Sequence, residues 1–218
     1  MNQIILSISQ KRIFTSVIIL FVIFSYQLFA IDVSGNQSGT WTLSNNPYRV
    51  VGNVTVPAGL TLTIEPGVIV KFDSALSITI NGVLIANGTE TDSILFTTSN
   101  TIQAVGQWKQ LRFTNNALIS NITYCIFEYG GNGHSAPVQM IPSAKLFHKN
   151  NSYRNNSIQA IGIDGGSIVI PDAVWYNDGL PYLVLGGIAI HNDGGDGKLE
   201  IKPGVVIKFN TNTGIQIG

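Results

Sequence analysis

The chain has little charge, one cysteine and few strong helix formers. Charged residues make up 11% of its 218 residues, about half of the usual share. Because Asn, Thr, Ser, Gly and Ile are abundant instead, the composition excludes a mainly helical domain and favours short strands joined by Asn/Gly turns. Cys125 is the only cysteine, so no intramolecular disulfide can form, and its strand context predicts a small buried hydrophobe.

The chain also lacks an excess of either charge. Twelve basic residues balance twelve acidic residues, and without Lys11 and Arg12 ten basic residues face twelve acidic ones. Nothing in this balance attracts a phosphate backbone, which excludes nucleic acid as an expected partner.

Residues 1–30 have the pattern of a secretory signal peptide. Lys11 and Arg12 precede an apolar stretch at 13–29, and Ala30 ends a small-residue cleavage site. An uncleaved membrane anchor is the alternative, although Ser16 and Gln27 dilute the stretch. We therefore expect a secreted or cell-surface protein, with membrane contact only through residues 1–30 if they are not cleaved.

One short segment occurs twice. IEPGVIVKF at 64–72 returns as IKPGVVIKF at 201–209, an offset of 137, while Trp41 and Tyr48 match Trp175 and Tyr182 at an offset of 134. Three residues have therefore been inserted, in the Gly/Asp-rich turn of 190–199. Such self-similarity is typical of stacked repeats.

Most of the remaining chain alternates apolar and polar residues in short runs, the pattern of strands with one buried face. Examples are 60–64, 68–72 and a longer run at 122–129. Strand length alone leaves a sandwich, a barrel or a solenoid open, and the repeat favours the solenoid. The three tryptophans are spaced 67 residues apart, which suggests coils of about 22 residues. The expected inward row comprises Leu62, Ile64, Val68, Val70 and Phe72.

Residues 40–100, with VPAG, LTIEPGV, VKF and a GxLxAxGT run, resemble the N-terminal coils of secreted bacterial right-handed parallel β-helix proteins of the pectate-lyase-like superfold. Residues 101–170 share only the general pattern of short strands and turns, and 171–218 are a degenerate second copy of the repeat. The resemblance implies an all-β solenoid with three short parallel strands per coil. Eight to ten coils would make a rod of roughly 40–50 Å.

The resulting domain division is a signal peptide at 1–30, an N-terminal cap at 31–46 and a parallel β-helix at 47–218. The second copy stops nine residues after Phe209, so we expect the β-helix to be incomplete at its C-terminus.

Enzymes of this superfold place paired carboxylates on adjacent coils, so the resemblance directs attention to acids one coil apart. Glu65 with Glu90 and Asp172 with Asp193 fit by spacing. Glu65, however, corresponds to Lys202 in the second copy, which favours solvated turn residues over catalysis. No Asn-Thr-Asp, Asp-Asp or Gly-His-Gly motif occurs. The sequence therefore predicts no catalytic residue.

His134 lies in the glycine-rich GGNGHS loop, six residues after Glu128. An acid/base or metal role is conceivable, but His148 and His191 show no ligand spacing with it, which favours a polar loop tip.

Asp193 and Asp196 lie with Asn192 in NDGGDG, which has some features of a calcium turn. Calcium takes six to eight oxygens, so an ordinary turn is favoured and a weak calcium site stays open. We predict no cofactor and no metal site.

Two sets of residues have candidate roles in a solenoid. Turn asparagines can hydrogen-bond between coils; the candidates are Asn81, Asn87, Asn115 and Asn116. Surface aromatics can stack on sugar rings or fill coil corners; the candidates are Tyr48, Trp108, Tyr153, Trp175 and Tyr182.

The leading interpretation is an exported, non-enzymatic β-helix module of a bacterial surface or secreted protein, acting as an adhesive, structural or glycan-contacting scaffold. Its expected partner is an extracellular glycan or another surface protein. The alternative is a carbohydrate-active enzyme, a polysaccharide lyase or glycoside hydrolase, whose catalytic coils are missing or lie in 101–170. In the enzyme, substitution of Glu128, His134 or Arg154 should abolish activity. An inert fragment of a broken gene is the third interpretation.

Overall fold

The computed structural model describes residues 30–115, 117–191 and 196–218. They form an all-β parallel solenoid whose only helical element is a 3-10 turn at Leu43–Asn45. Residues 1–29, and with them the predicted signal segment, lie outside the described residues. Within the described ranges, no helix has the length and apolar character needed to cross a membrane.

Within these described ranges, twenty-two short strands build the solenoid. In chain order they are β1 (Ile31–Asn36), β2 (Gly39–Trp41), β3 (Tyr48–Val56), β4 (Thr61–Ile64), β5 (Ile69–Phe72), β6 (Ile78–Ile80), β7 (Val83–Asn87), β8 (Ile94–Thr98), β9 (Leu111–Phe113), β10 (Ser120–Thr123), β11 (Cys125–Glu128), β12 (Val138–Met140), β13 (Leu146–Lys149), β14 (Ser152–Arg154), β15 (Ile161–Ile163), β16 (Gly166–Ile168), β17 (Ala173–Trp175), β18 (Tyr182–Val184), β19 (Ile188–Ile190), β20 (Leu199–Ile201), β21 (Ile207–Phe209) and β22 (Ile215–Ile217).

The strands stack in ladders, and the pairings within each ladder are parallel. The first ladder is β3-β5-β8-β11-β14, the second is β3-β6-β9-β12-β15-β18-β21, and the third is β2-β4-β7-β10-β13. β3 serves two ladders because Tyr48–Val50 pairs with β5 and Val54–Val56 pairs with β6. In the last turns β16-β19-β22 form a fourth ladder, and β17 pairs with β20. The segment predicted as a cap contributes β1 and β2.

Successive turns differ in length. On the second ladder Ile161 pairs with Tyr182, 21 residues later, whereas Ile78 pairs with Leu111, 33 residues later. The expected period of about 22 residues is therefore wrong as a general value. The seven strands of the second ladder make seven turns rather than eight to ten.

The equal spacing of the tryptophans does not mark equivalent positions. Trp41 and Trp175 end β2 and β17. Trp108 instead precedes β9 and stacks on Phe72, with the ring centroids 4.4 Å apart. Only the pair supported by matching flanks is structurally equivalent.

The two copies of the repeat form the same pairings in a single parallel stack. The equivalent pairs are Trp41 with Ile64 and Trp175 with Ile201, and Tyr48 with Val70 and Tyr182 with Ile207. They do not share a ladder, however: β3 pairs with β5 on the first ladder, whereas β18 pairs with β21 on the second. The copies therefore have equal local structure but different neighbours.

Inward side chains stack in rows along the axis. The predicted row is confirmed, since Leu62, Ile64, Val68, Val70 and Phe72 are at most 1% exposed. On the first ladder Phe96, Phe127 and Tyr153 continue as a pile of rings with centroids 5.0 and 4.9 Å apart. Cys125 is buried, as predicted, with its Sγ 3.2 Å from the Ala86 carbonyl oxygen.

The run predicted as one strand at 122–129 is two strands. Tyr124 has a φ of 49°, and this left-handed residue turns the chain from β10 on the third ladder to β11 on the first. Alternation of apolar and polar residues continues through the corner, so periodicity alone does not reveal it.

Asparagines hydrogen-bond between turns, as predicted. Asn81 and Asn87 accept from the Thr114 and Thr123 hydroxyls, and Asn115 donates to the Gly82 carbonyl. Asn116 lies outside the described residues. Further examples that were not predicted are Asn46, Asn53, Asn151 and Asn156.

Candidate functional site

Two ion pairs lie on the outward surface of the first ladder. Arg49 binds Asp73 through Nε and Nη2 at 2.9 and 3.0 Å, and Ser99 also donates to this carboxylate. Desolvation alone would raise the pKa of Asp73, but the Ser99 and Arg49 hydrogen bonds outweigh it and lower the pKa. Glu128 forms an ion pair with Arg154. Both carboxylates are thus engaged in surface ion pairs.

A second cluster joins three turns on the second ladder. Arg112 donates from Nε and Nη2 to Asp164 Oδ2 at 3.0 and 2.8 Å, and Gln139 Nε2 donates to Asp164 Oδ1 at 2.5 Å. Both oxygens of Asp164 are therefore engaged by fixed donors. Oxygens that already accept these hydrogen bonds are poorly placed to exchange a proton with a substrate.

Polar side chains also form a cluster inside the solenoid. His148 is 1% exposed, its Nε2 lies 2.6 Å from Tyr182 Oη, and its Nδ1 lies 3.6 Å from Asp178 Oδ2. Asp178 accepts a 2.8 Å hydrogen bond from Asn151 Nδ2. Because the cluster is closed off from solvent, it holds turns together and does not offer a site to a ligand.

We expect the solenoid to lose stability in alkali. Burial, with a contribution from the Asp178 carboxylate, raises the pKa of Cys125, Tyr153 and Tyr182 above their ordinary values of 9.0 and 10.0. The folded state then keeps protons that the unfolded chain releases, so the free energy of unfolding falls as pH rises past about 9. Urea midpoints at pH 7.5 and 10.5 should therefore differ, with less difference in Cys125→Ala. Equal midpoints would contradict this account.

The outward surface of the third ladder carries a groove, the third-face groove, with a volume of about 430 Å³. It is lined by Ala117, Leu118, Ile119, Lys145, Leu146, Asp172, Val174 and Tyr176. Leu118 and Ile119 are 56% and 46% exposed. The Tyr176 ring meets Phe147 edge-on at a centroid distance of 5.1 Å. An ion pair of Lys145 Nζ and Asp172 Oδ2, 2.6 Å apart, lies among these apolar groups.

Two lysines at or near the third-face groove are paired with carboxylates. Lys145 lines the groove and binds Asp172, and Lys202, which follows β20, binds Glu200 at 2.6 Å. The groove thus combines apolar side chains, an aromatic edge and one ion pair. A mostly apolar lining with a few polar groups is the usual make-up of a small-molecule site.

Glu65 and Asp172, one member of each spaced carboxylate pair, are engaged by other groups. Glu65 accepts a 2.7 Å hydrogen bond from the Leu43 amide, and Asp172 pairs with Lys145. Asp193, the proposed partner of Asp172, lies outside the described residues, as does Asn192. No cluster of three His, Cys, Asp or Glu side chains that could hold a metal occurs in the described ranges.

His134 is on the surface, and the cavity that it lines has no carboxylate among its lining residues. It is exposed, has a φ of 62°, and lines a separate cavity of about 450 Å³ with Val105, Asn132 and Ser157. Glu128 instead binds Arg154.

The aromatics offered as surface residues lie inside. Tyr48, Trp108, Trp175 and Tyr182 are at most 4% exposed, and the Tyr153 hydroxyl oxygen is buried. Trp41 with Tyr48 and Trp175 with Tyr182 stack at 4.8 and 4.9 Å and fill corners. The prediction that these five aromatic residues lie on the surface is therefore wrong. Tyr176 directly follows the buried Trp175, so alternation along the strand predicts that its side chain points outward. This alternation could have identified it as a surface aromatic.

Residues 35–136 match the family model described as a pectate-lyase-like β-helix domain. No curated protein and no solved structure gives a significant match to the chain. The match spans the strands from β2 to β11 and confirms the resemblance of residues 40–100 to a pectate-lyase-like β-helix. The same kind of parallel stacking continues beyond it to β22.

Proposed function

We propose that this pectate-lyase-like β-helix is an exported, non-enzymatic scaffold of a bacterial surface that contacts glycans through the third-face groove. The observation that carries the proposal is the groove itself, where exposed Leu118 and Ile119 and half-buried Tyr176 lie beside the Lys145–Asp172 ion pair. A sugar ring has apolar C–H faces and polar edges, so it complements such a lining.

The lining comes from three successive turns of the solenoid. Its segments are 117–119, 145–146 and 172–176, which lie next to or within β10, β13 and β17. Leu146 and Val174 are on these strands, whereas Leu118 and Tyr176 lie just outside them, so the ladder fixes the position of the groove.

The paired charges on the other faces support a non-enzymatic role over the rival enzyme. Catalysis by paired carboxylates needs one acid with a raised pKa beside another that stays ionised. Asp164 and Glu128 each form an ion pair with an arginine rather than a pair with a second carboxylate.

Glycan binding is tested with the purified protein and a panel of neutral and acidic bacterial surface oligosaccharides, using titration calorimetry. We expect one member to bind and Tyr176→Ala and Leu118→Ser to weaken its binding at least about tenfold. Leu43→Ser is the matched control, because Leu43 is 50% exposed, close to the 56% of Leu118, but lies outside the groove.

The same panel distinguishes the rival enzyme. Products of lysis or hydrolysis that disappear in Glu128→Gln or Arg154→Gln would replace the scaffold by a carbohydrate-active enzyme. Binding that survives both groove substitutions, or no binding at all, would remove the groove from the proposal.

A further inference from the structure

Three Asn-Gly pairs occur in the chain: Asn81-Gly82, Asn87-Gly88 and Asn132-Gly133. Asparagine is a chemically labile residue. It loses its side-chain nitrogen fastest before glycine, because a residue without a Cβ lets its backbone nitrogen approach the asparagine carboxamide. The reaction requires that this nitrogen make no hydrogen bond and that the backbone around the glycine be able to rotate. The three pairs differ in both requirements.

The first two pairs are held by neighbouring turns of the solenoid. The Gly82 amide donates to the Val56 carbonyl oxygen at 3.0 Å, and the Gly88 amide donates to the Thr123 carbonyl oxygen at 2.8 Å. A Cβ atom at either glycine would lie 2.6 Å or less from a backbone carbonyl oxygen. Both nitrogens are therefore occupied, and the packed backbone cannot rotate into the geometry of attack.

Asn132-Gly133 lies in the loop between β11 and β12 and meets both requirements. Gly133 is exposed, and a Cβ atom there would have no atom within 4 Å. Among the described residues, none accepts a hydrogen bond from the Gly133 amide. The Asn132 side chain is held by one hydrogen bond, from its Nδ2 to the Gly106 carbonyl oxygen at 2.8 Å. Opening this single bond disturbs far less structure than shifting a packed turn.

We propose that Asn132 is a site of spontaneous deamidation. The Gly133 nitrogen gives its proton to a solvent base and attacks Asn132 Cγ. The Cγ–Nδ2 bond then breaks, ammonia leaves, and a cyclic succinimide remains. Water adds to one of the two ring carbonyl groups and opens the ring to aspartate or isoaspartate. Each event replaces an amide by a carboxylate, so the chain gains one negative charge without an oxidant, a reductant or a second protein.

Deamidation changes the contacts of a neighbouring loop. The Asn132 amide binds Gly106, and both residues line the cavity of about 450 Å³ that also contains His134 and Ser157. A carboxylate has no hydrogen to donate and repels the Gly106 carbonyl oxygen. The modification therefore removes a contact that holds the segment 101–107 and adds a negative charge to this cavity.

The test is incubation of the purified full chain at mildly alkaline pH, followed by peptide mass spectrometry of the three asparagines. We expect aspartate and isoaspartate to form at Asn132 at least about tenfold faster than at Asn81 or Asn87. The same chain unfolded in guanidinium chloride is the matched control, and there the three rates should converge. Similar rates in the folded chain would overturn the proposal. A difference that persists after unfolding would also overturn it, because the local sequence would then select the site.

Two variants separate the reaction from its consequence. Asn132→Gln should stop the gain of negative charge at this position, because its longer side chain closes a larger ring far more slowly. Asn132→Asp imitates one product, and hydrogen exchange of the segment 101–107 should be at least about fivefold faster in it than in fresh wild type. Exchange equal to that of the wild type would overturn the release of this segment.

Discussion

Replacement of Gly82 by alanine is expected to lower the free energy of unfolding by about 3–5 kcal/mol, among the largest effects of a single methyl group. Gly82 turns the chain between β6 and β7. A Cβ atom there would lie 2.2 Å from the carbonyl oxygens of both Pro57 and Leu60. Both obstacles are backbone atoms of the preceding turn, so a rotamer change cannot relieve the clash.

Gly187→Ala is the matched control. A Cβ atom at Gly187 meets no atom within 4 Å, and its backbone is not in the left-handed region, so the change should stay within about 0.5 kcal/mol. Urea unfolding of both variants, followed by circular dichroism and tryptophan fluorescence, provides the comparison. Coincidence of the two signals has to be checked, because repeat arrays do not always unfold in two states. Equal midpoints for Gly82→Ala and the wild type would show that the turn can shift as a unit.

Gly82 shows which features of the fold can be predicted from the sequence and which cannot. Asn81-Gly82 is recognisable as a turn from residue types alone, and the inward row from Leu62 to Phe72 follows from alternation. The crowding of Gly82 depends on Pro57 and Leu60, more than twenty residues earlier. Such contacts depend on the number of residues in each turn of the solenoid. This number varies from 21 to 33, and no local sequence pattern predicts it.

Contacts between different turns also determine the candidate site, and the sequence does not predict them. Leu118 and Tyr176 lie on separate turns, and nothing around either residue indicates the other. The sequence could predict a stacked scaffold and identify buried corners from the repeated tryptophans. It could not predict that the ladder of β14 ends and that β16 starts another, which determines the residues that meet on each face.

Tyr182→Phe and Tyr48→Phe are expected to differ by about 2 kcal/mol, although the two tyrosines are equivalent in the repeat. The Tyr48 hydroxyl accepts one hydrogen bond, from the Thr42 amide at 2.7 Å. Its loss should cost about 1 kcal/mol. The Tyr182 hydroxyl accepts from the Tyr176 amide, donates to the Tyr176 carbonyl and contacts His148.

Removal of the Tyr182 hydroxyl leaves several buried polar groups without a partner, and His148 Nε2 has no water to replace it at 1% exposure. Each stranded group costs about 1–3 kcal/mol, so a total of about 3 kcal/mol is expected. A double-mutant cycle of Tyr182→Phe with His148→Met isolates the part of this free energy that comes from the contact with the imidazole. When both partners are removed, neither is left as a buried polar group without a hydrogen bond. Equal losses in Tyr182→Phe and Tyr48→Phe would mean that the buried histidine contributes nothing to the second copy. The added polar contacts would then be a neutral difference between the copies, and the hydrogen bond that each hydroxyl accepts from a backbone amide would account for both losses.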